Sequence, residues 1–303
     1  MVKNVHCDTA PPSVPESIYA KENTCIMRHM NFEEYESATA AACLNPTVDY
    51  PANHFAFRHV FAALPEPAGL SLVEIGVGMG RAIPLFTGNG LTFAGFDRDA
   101  ACVESSKKEL LEAGQDPDRI ILADLEDPAS YAEFPGAGSF DVLIAMGVLP
   151  HVASVRQAIL NAVSLVRPGG HVFFEFRNAL FSLVTFNRYT EEFISERLLG
   201  DASPEVRAAV DAQLQKRLNL EIPSGVIHPE AFHVPFESVD IARELGLKDP
   251  RIIPFHFHAG MPAIERDVAQ SYRLDSVALE DDASGWKGLF LASAYLLHAQ
   301  RPE

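Results

Sequence analysis

The stretch Leu72-Val73-Glu74-Ile75-Gly76-Val77-Gly78-Met79-Gly80-Arg81 constrains the fold more than any other part of the chain. Apolar, β-compatible residues lead into glycines at alternate positions, the pattern by which a buried parallel strand turns sharply into a helix and holds a ligand. A dinucleotide turn carries a third glycine or alanine three residues after the second, but that position is Arg81 and the glycines stand at 76, 78 and 80. Glu74 sets the charge of the site. Two residues before the first glycine, its carboxylate faces the ligand side, where it repels a pyrophosphate and welcomes a cation.

The chain after the turn keeps the same rhythm. A short helix from Arg81 to Thr87 leads to the apolar run Leu91 to Phe96, which ends in Asp97. An acid about 20 residues beyond such a turn, at the end of the next strand, can accept hydrogen bonds from both hydroxyls of a ribose. An amphipathic helix over Ala100 to Ala113 and a third strand over Arg119 to Ala123 follow, the strand ending at Asp124. The fourth strand, Phe140 to Ala145, runs on into Met146 to His151 at the carboxyl ends, where open α/β sheets bind ligands. Asp141 opens that strand at the opposite edge and reads as structural. A helix over Ala153 to Val166 and a tight turn at Arg167 to Gly170 lead into a fifth strand, His171 to Phe176. Strands alternating with helices argue for a parallel, doubly wound sheet.

Five features at one consistent spacing resemble the class I S-adenosylmethionine (SAM)-dependent methyltransferases. They are Glu74 with the glycines, Asp97, Asp124, the stretch from Phe140-Asp141 to Leu149-Pro150-His151, and Leu165-Val166-Arg167-Pro168-Gly169-Gly170; together they span Ser71 to Phe176. The resemblance implies a Rossmann-like α/β fold with six parallel strands and an antiparallel seventh, and SAM as cofactor. Glu74, Gly76, Gly78 and Gly80 would contact the end of the cofactor that carries the ammonium and sulfonium. Asp97 would take the ribose, Asp124 the adenine amino group, and Leu125 and Met146 would supply apolar contacts. The family order further implies a helix over Phe236 to Leu245, a sixth strand over Arg251 to His258 and a seventh within Trp286 to His298.

The remaining segments fall around that core. Residues 1–63 read as lead-in and lid, 64–176 as the cofactor-binding core, 177–235 as a helical cap insert, and 236–303 as the completion of the sheet with a second insert at 259–285. Pro11, Pro12 and Pro15 make Met1 to Ser17 an irregular lead-in, with order expected from Ile18. Helices over Phe32 to Cys43, capped by Asn31, and over Ala52 to Ala63 precede the turn and offer Tyr19, Tyr35, Tyr50, His54 and Arg58 toward it or toward ordinary packing. Within the cap, Tyr189 to Leu199 and Pro204 to Leu220 are helix-like, the second with Ser203 as cap. The second insert ends in an acidic loop, Glu280-Asp281-Asp282.

A formal net charge of -17 argues against nucleic acid and anionic membranes as partners. Cys7, Cys25, Cys43 and Cys102 lack metal-ligand or disulfide-framework spacing, and the N-terminus lacks a signal-peptide core, so a cytoplasmic protein acting on a small-molecule acceptor is expected. Oligomeric state leaves no trace in the sequence.

Methyl transfer from a sulfonium is an in-line displacement, so the protein must align the acceptor, exclude water and, for a hydroxyl, remove a proton. His151 has the best location for a base. His256 and His258 flank Phe257 and share one strand face, either toward substrate or as a packed pair. Two histidines without a third ligand do not make a metal site. Arg177 leaves strand five beside Glu175 and Asn178 at the ligand edge, as an anchor for an anionic or carbonyl group or as half of an ion pair. Tyr189, His228, His233, Tyr272, Arg273, Phe181, Phe186 and Phe232 lie in or beside the inserts, with Tyr189 the candidate for acceptor binding. The acceptor is a small molecule methylated on oxygen or nitrogen; a non-catalytic module of the same fold, or a nicotinamide-dependent oxidoreductase, are the rival readings.

Overall fold

A computed structural model of the chain describes residues 31–64, 66–134, 136–220, 231–282 and 285–303. The proline-rich lead-in, Ile18, Tyr19, Cys7, Cys25 and His228 lie outside the described residues. The strands are β1 (Ser71–Ile75), β2 (Thr92–Asp97), β3 (Ile120–Leu122), β4 (Phe140–Ala145), β5 (Val166–Asn178), β6 (Phe232–His233), β7 (Lys248–Phe257) and β8 (Ala292–Gln300). They form one sheet in the order β3-β2-β1-β4-β5-β8-β7, with the two-residue β6 added beside β5 at Arg177 and Asn178. Neighbouring strands are parallel except that β8 runs antiparallel to both β5 and β7. The sixth and seventh strands of the sequence reading are therefore β7 and β8, and β6 is the one strand it did not foresee.

Chain direction across the sheet reverses between β1 and β4. From β1 the chain winds outward through β2 and β3, then returns to the other side of β1 to lay down β4 and β5. Connections leave the two strands in opposite senses there, which opens a crevice at their carboxyl ends.

The helices are α1 (Phe32–Cys43), α2 (Ala52–Ala62), α3 (Ile83–Gly88), α4 (Ala100–Glu112), α5 (Val155–Val163), α6 (Ser182–Thr185), α7 (Arg188–Glu192), α8 (Pro204–Leu214), α9 (Pro235–Glu244), α10 (Ala269–Glu280) and α11 (Gly288–Leu291). Alternate strand residues divide the core between them. Leu72, Val142, Ile144, Phe173 and Leu296 pack with α1 to α4 on one face, while Val73, Ile75, Leu143, Val172, Phe174 and Leu297 pack with α5 and α9 on the other. Both faces are covered, which is why these strands read as nearly continuous apolar runs. Each fully buried phenylalanine contributes roughly 1.5–3 kcal/mol relative to exposure.

Local chemistry explains where elements begin. Asn31 caps α1 in a reciprocal capping box with Glu34, and Ser203 caps α8 ahead of Pro204. The expected turn at Arg167 to Gly170 is instead an irregular bulge within β5. Phe140 pairs with Val166 and Val142 with His171, so extra residues are looped out against β4. Asp141 stays at the far edge, accepting from Ser71 N and Oγ (2.8 and 2.7 Å) and pairing with Arg167 Nε at 2.6 Å. The Tyr189 to Leu199 segment divides into α7 and a π-helical turn over Phe193–Leu198. Glu280, expected in an acidic loop, closes α10 and is buried. Among the described residues no helix is long and apolar enough to cross a membrane, and Cys43 and Cys102 are free thiols.

Candidate cofactor and acceptor site

The glycine turn is built by hydrogen bonds to β2. Gly76 N and Val77 N donate to Phe96 O at 2.8 and 3.2 Å, and Gly76, Gly78 and Gly80 take φ of 73, 52 and 78°, a region that side chains with a Cβ avoid. Asp97 locks the arrangement, accepting from Gly78 N through Oδ2 and from Asp99 N through Oδ1, both at 2.9 Å. Each of its oxygens retains acceptor capacity for a further donor. Ser106 on α4 donates to Gly78 O at 2.8 Å and ties the turn to the helix behind it.

Gly95 is a functional position that sequence reasoning missed. A Cβ there would stand 2.6 Å from Glu74 O and 2.4 Å from Val77 Cγ1, so only glycine lets the turn cross β2 this closely. Its signal was present in the sequence, since a lone glycine within an apolar strand often marks a close backbone approach.

A cleft of about 620 Å3, counted to its open mouth, lies at the carboxyl ends of β1, β2 and β4. It is lined by Ile75, Gly76, Asp97, Asp124, Leu125, Met146 and His151 among others. Asp124 turns one oxygen to Glu126 N at 2.9 Å, and Leu125 is pinned through its carbonyl by Tyr131 Oη (3.2 Å) and Asn161 Nδ2 (2.8 Å). Gly78 and Gly80 shape the turn without lining the open cleft. Glu74 does not line it either. It is 4% exposed beside the turn, and Oε2 has no hydrogen-bond partner among the described residues. Burial, with the Asp97 carboxylate adding to it, holds the Glu74 carboxyl well above the usual range.

His151 ends a single helical turn over Leu149–His151 at the mouth of the cleft, its ring exposed. Pro150 O accepts from Ala231 N at 2.9 Å, which fastens the return of the cap beside it. Glu175 is buried under the same edge, accepting from Gly147 N at 2.8 Å and pairing with Arg177 at 3.2 Å. Arg177 thus sits in an ion pair that supports the cleft wall. Tyr189 packs on Phe232 with ring centres 5.2 Å apart and does not line the cleft.

His256 and His258 occupy a separate place. Their rings are 4.7 Å apart at the end of β7, three strand spacings from β4, or roughly 14 Å. His256 has a left-handed φ of 58°, stacks on Tyr50 at 5.4 Å, and is pushed down to about 3 by burial and then by His258, Arg177 and Arg273. His258, pushed down to about 4 by burial and then Arg273, faces Ser293 Oγ and Tyr272 Oη at 3.2 Å. Both are neutral at physiological pH. Glu280 beside them accepts from Phe257 N at 2.7 Å and is pushed up to about 8, chiefly by burial. The pair is packed and hydrogen-bonded, and His151 and this pair do not form one constellation. No cluster among the described residues has the makings of a metal site.

A family model described as a methyltransferase domain matches residues 51–218, from the start of α2 through the glycine turn to the end of α8. The chain belongs to the class I SAM-dependent methyltransferases. Among curated relatives, a ubiquinone biosynthesis O-methyltransferase of Thiobacillus denitrificans is 29% identical over 181 residues, covering 60% of this chain and 66% of that protein. One of Xanthomonas axonopodis pv. citri is 28% identical over 226 residues, covering 72% and 82%. The chain thus spans just under two thirds of the length of the first of these relatives. Among solved structures, a SAM-dependent methyltransferase from Mesorhizobium loti superposes with a TM-score of 0.50 at 16% identity, over 82% of this chain and 98% of that one, which is a likeness of fold.

The site fits the methyltransferase cofactor on physical grounds. Two acids, one lining the cleft and one buried with an orphaned oxygen, meet at a turn whose glycines admit close backbone approach, and a third acid stands beside an apolar wall. A cationic amino acid, a diol and an adenine edge are the groups such donors and acceptors match. A pyrophosphate at the turn would meet the Asp97 carboxylate, which already holds Gly78 N, and the nicotinamide reading gives way to the family match.

Proposed function

We propose that this methyltransferase moves a methyl group from SAM to an oxygen of a small-molecule acceptor. The observation that carries the reading is the cleft at the β1/β4 reversal, where Asp97 and Asp124 line one end and His151 stands at the mouth. Oxygen is favoured over nitrogen by the relatives named as O-methyltransferases and by the presence of a base, which a neutral amine does not need. When bound, SAM supplies an electrophilic methyl on a good leaving group.

The chain's residues do the rest. Asp97 receives the ribose hydroxyls on the acceptor capacity left beside its backbone bonds, and Asp124 receives the adenine amino group against Leu125. Gly76 and Met146 would wall the donor, and Glu74, buried beside the turn, would supply a carboxyl near its cationic end. His151 takes the acceptor's proton; imidazole is the side-chain base matched to neutral pH, and a phenol gives up a proton to it far more readily than an alcohol. His256 and His258, packed at the end of β7 and away from the cleft, and Tyr189, packed on Phe232, are set aside for these roles, and Arg177 is the candidate to hold the acceptor from the β5 edge.

The test offers methyl-labelled SAM with two acceptor sets, substituted catechols and aromatic amines. Label on the catechols is expected, with kcat reduced about 10²–10⁴-fold in His151→Ala and SAM affinity unchanged. Label on the amines alone, or full turnover by His151→Ala, would overturn the reading.

A further inference from the structure

Two acids meet at the glycine turn, and the fold treats them unequally. Asp97 receives a backbone N–H on each oxygen, from Gly78 and Asp99, at 2.9 Å. Glu74 is 96% removed from solvent, and its Oε2 receives nothing among the described residues. Its register neighbours on β2 and β4, Gly95 and Ile144, carry no charge. From α4, Cys102 is itself held protonated by burial and then by Asp97 and Asp99. Glu175, one strand beyond β4, is engaged with Gly147 N and Arg177. Asp97 is therefore the charge that acts on Glu74, and it is a like charge.

Of two neighbouring acids, the one that is nearly stripped of solvent and carries an oxygen without a donor is the one that keeps a proton. From this placement we infer that Glu74 is a proton-exchanging group: it is protonated in the cofactor-free protein and ionises when a cationic group of SAM arrives beside it. The inference rests on the reading of this cleft as the SAM site and adds its regulation. Binding exchanges a proton for a positive charge, so the buried pair never holds two uncompensated carboxylates and never faces a cation as a neutral acid. Affinity for the donor then rises with pH through the range in which free Glu74 is protonated. The balance is simple: one O–H bond is lost from the carboxyl, and the proton leaves to buffer.

Calorimetry of SAM binding to the full chain near pH 7, repeated in phosphate and in Tris, counts the protons released. The expected result is a release of protons on binding that approaches one per SAM where free Glu74 is protonated, with Kd tightening toward tenfold per pH unit below the Glu74 transition. His151→Ala removes the imidazole that lines the same cleft and should release as many protons as the wild type. Glu74→Gln, an uncharged isostere, should bind with a buffer-independent enthalpy. Binding by the wild type with the same enthalpy in both buffers would overturn the inference while leaving the cofactor site standing. So would loss of the release in His151→Ala, or its persistence in Glu74→Gln. If Glu74→Gln fails to bind, the wild-type and His151→Ala counts decide alone. No binding of SAM by the wild type would overturn the cofactor reading and this inference together.

Discussion

Gly95→Ala tests how tightly the donor site depends on the seam between β1 and β2. Gly95 has an ordinary φ, so alanine suffers no backbone strain and the whole effect is steric. The added Cβ would lie 2.6 Å from Glu74 O, against 3.4 Å for the near limit of ordinary contact. Relief requires the end of β1 to retreat about 0.8 Å from β2, enough to stretch the 2.9 Å bond from Gly78 N to Asp97 beyond 3.5 Å. Overpacking of this kind costs about 1–3 kcal/mol. At roughly 2–4 °C per kcal/mol for a domain of about this size, the melting temperature should fall by several degrees. A hydrogen bond to a charged group is worth about 1.5–3 kcal/mol, so SAM affinity should fall about ten- to a hundredfold if the turn no longer seats against Asp97. Thermal unfolding and calorimetric titration with SAM read both effects. Gly260→Ala is the control: its nearest neighbour is Ile264 Cδ1 at 3.7 Å, and it should be neutral or slightly stabilising. A Gly95→Ala protein that melts with the wild type and binds SAM equally well would refute the reasoning, because the seam would then have slack that the close approach denies.

Other outcomes follow from single contacts. Asp97→Ala removes the acceptor for the half-buried Gly78 N and the exposed Asp99 N as well as a predicted ribose contact, and should cost about 1–3 kcal/mol, chiefly at Gly78 N, and weaken SAM binding; Asp97→Asn should recover more stability than affinity. At the opposite edge of the sheet, Arg251 Nε donates to His298 Nδ1 at 2.8 Å, which fixes the proton of His298 on Nε2, facing His171 Nδ1 at 2.9 Å. Burial, then Arg251 and His171, push His298 down to about 3, so the unfolded chain takes up a proton below pH 6.5 that the folded chain refuses. The stability this neutral histidine contributes is present above pH 6.5 and lost as pH falls toward 3, up to about 2 kcal/mol by pH 5. Buried His54 and half-buried His59, His256 and His258 are lowered too and act in the same sense. Glu74 and Glu280, whose carboxyls burial raises, act in the opposite sense, so the melting temperature of the wild type should fall between pH 7 and 5 relative to that of His298→Gln, and parallel profiles would contradict the neutral, directional chain.

The donor half of the site was legible in the chain because its parts are local. A strand, a glycine turn and an acid at the end of the next strand are each written within a few residues, and the parallel winding brings their carboxyl ends together. Asp97, Asp124, Leu125 and Met146 therefore fall at one cleft as their positions in the pattern imply. The pairing of His256 with His258 was also visible as an i, i+2 spacing. What the spacing left open was that a left-handed turn at His256 and the buried side chains of α10 would close around the pair.

The sequence by itself determined the alternation of strands and helices and the acids that stand at the carboxyl ends of the strands, because periodicity and turn chemistry act over short spans. Only the tertiary structure decided which groups are buried and what they meet. Glu74 lost its solvent and kept an unpaired oxygen, Arg177 joined Glu175 behind the cleft wall, and Gly95 became the contact that no side chain can replace. Each of these depends on the approach of segments distant in sequence, where desolvation and steric exclusion are set by neighbours that no local pattern names.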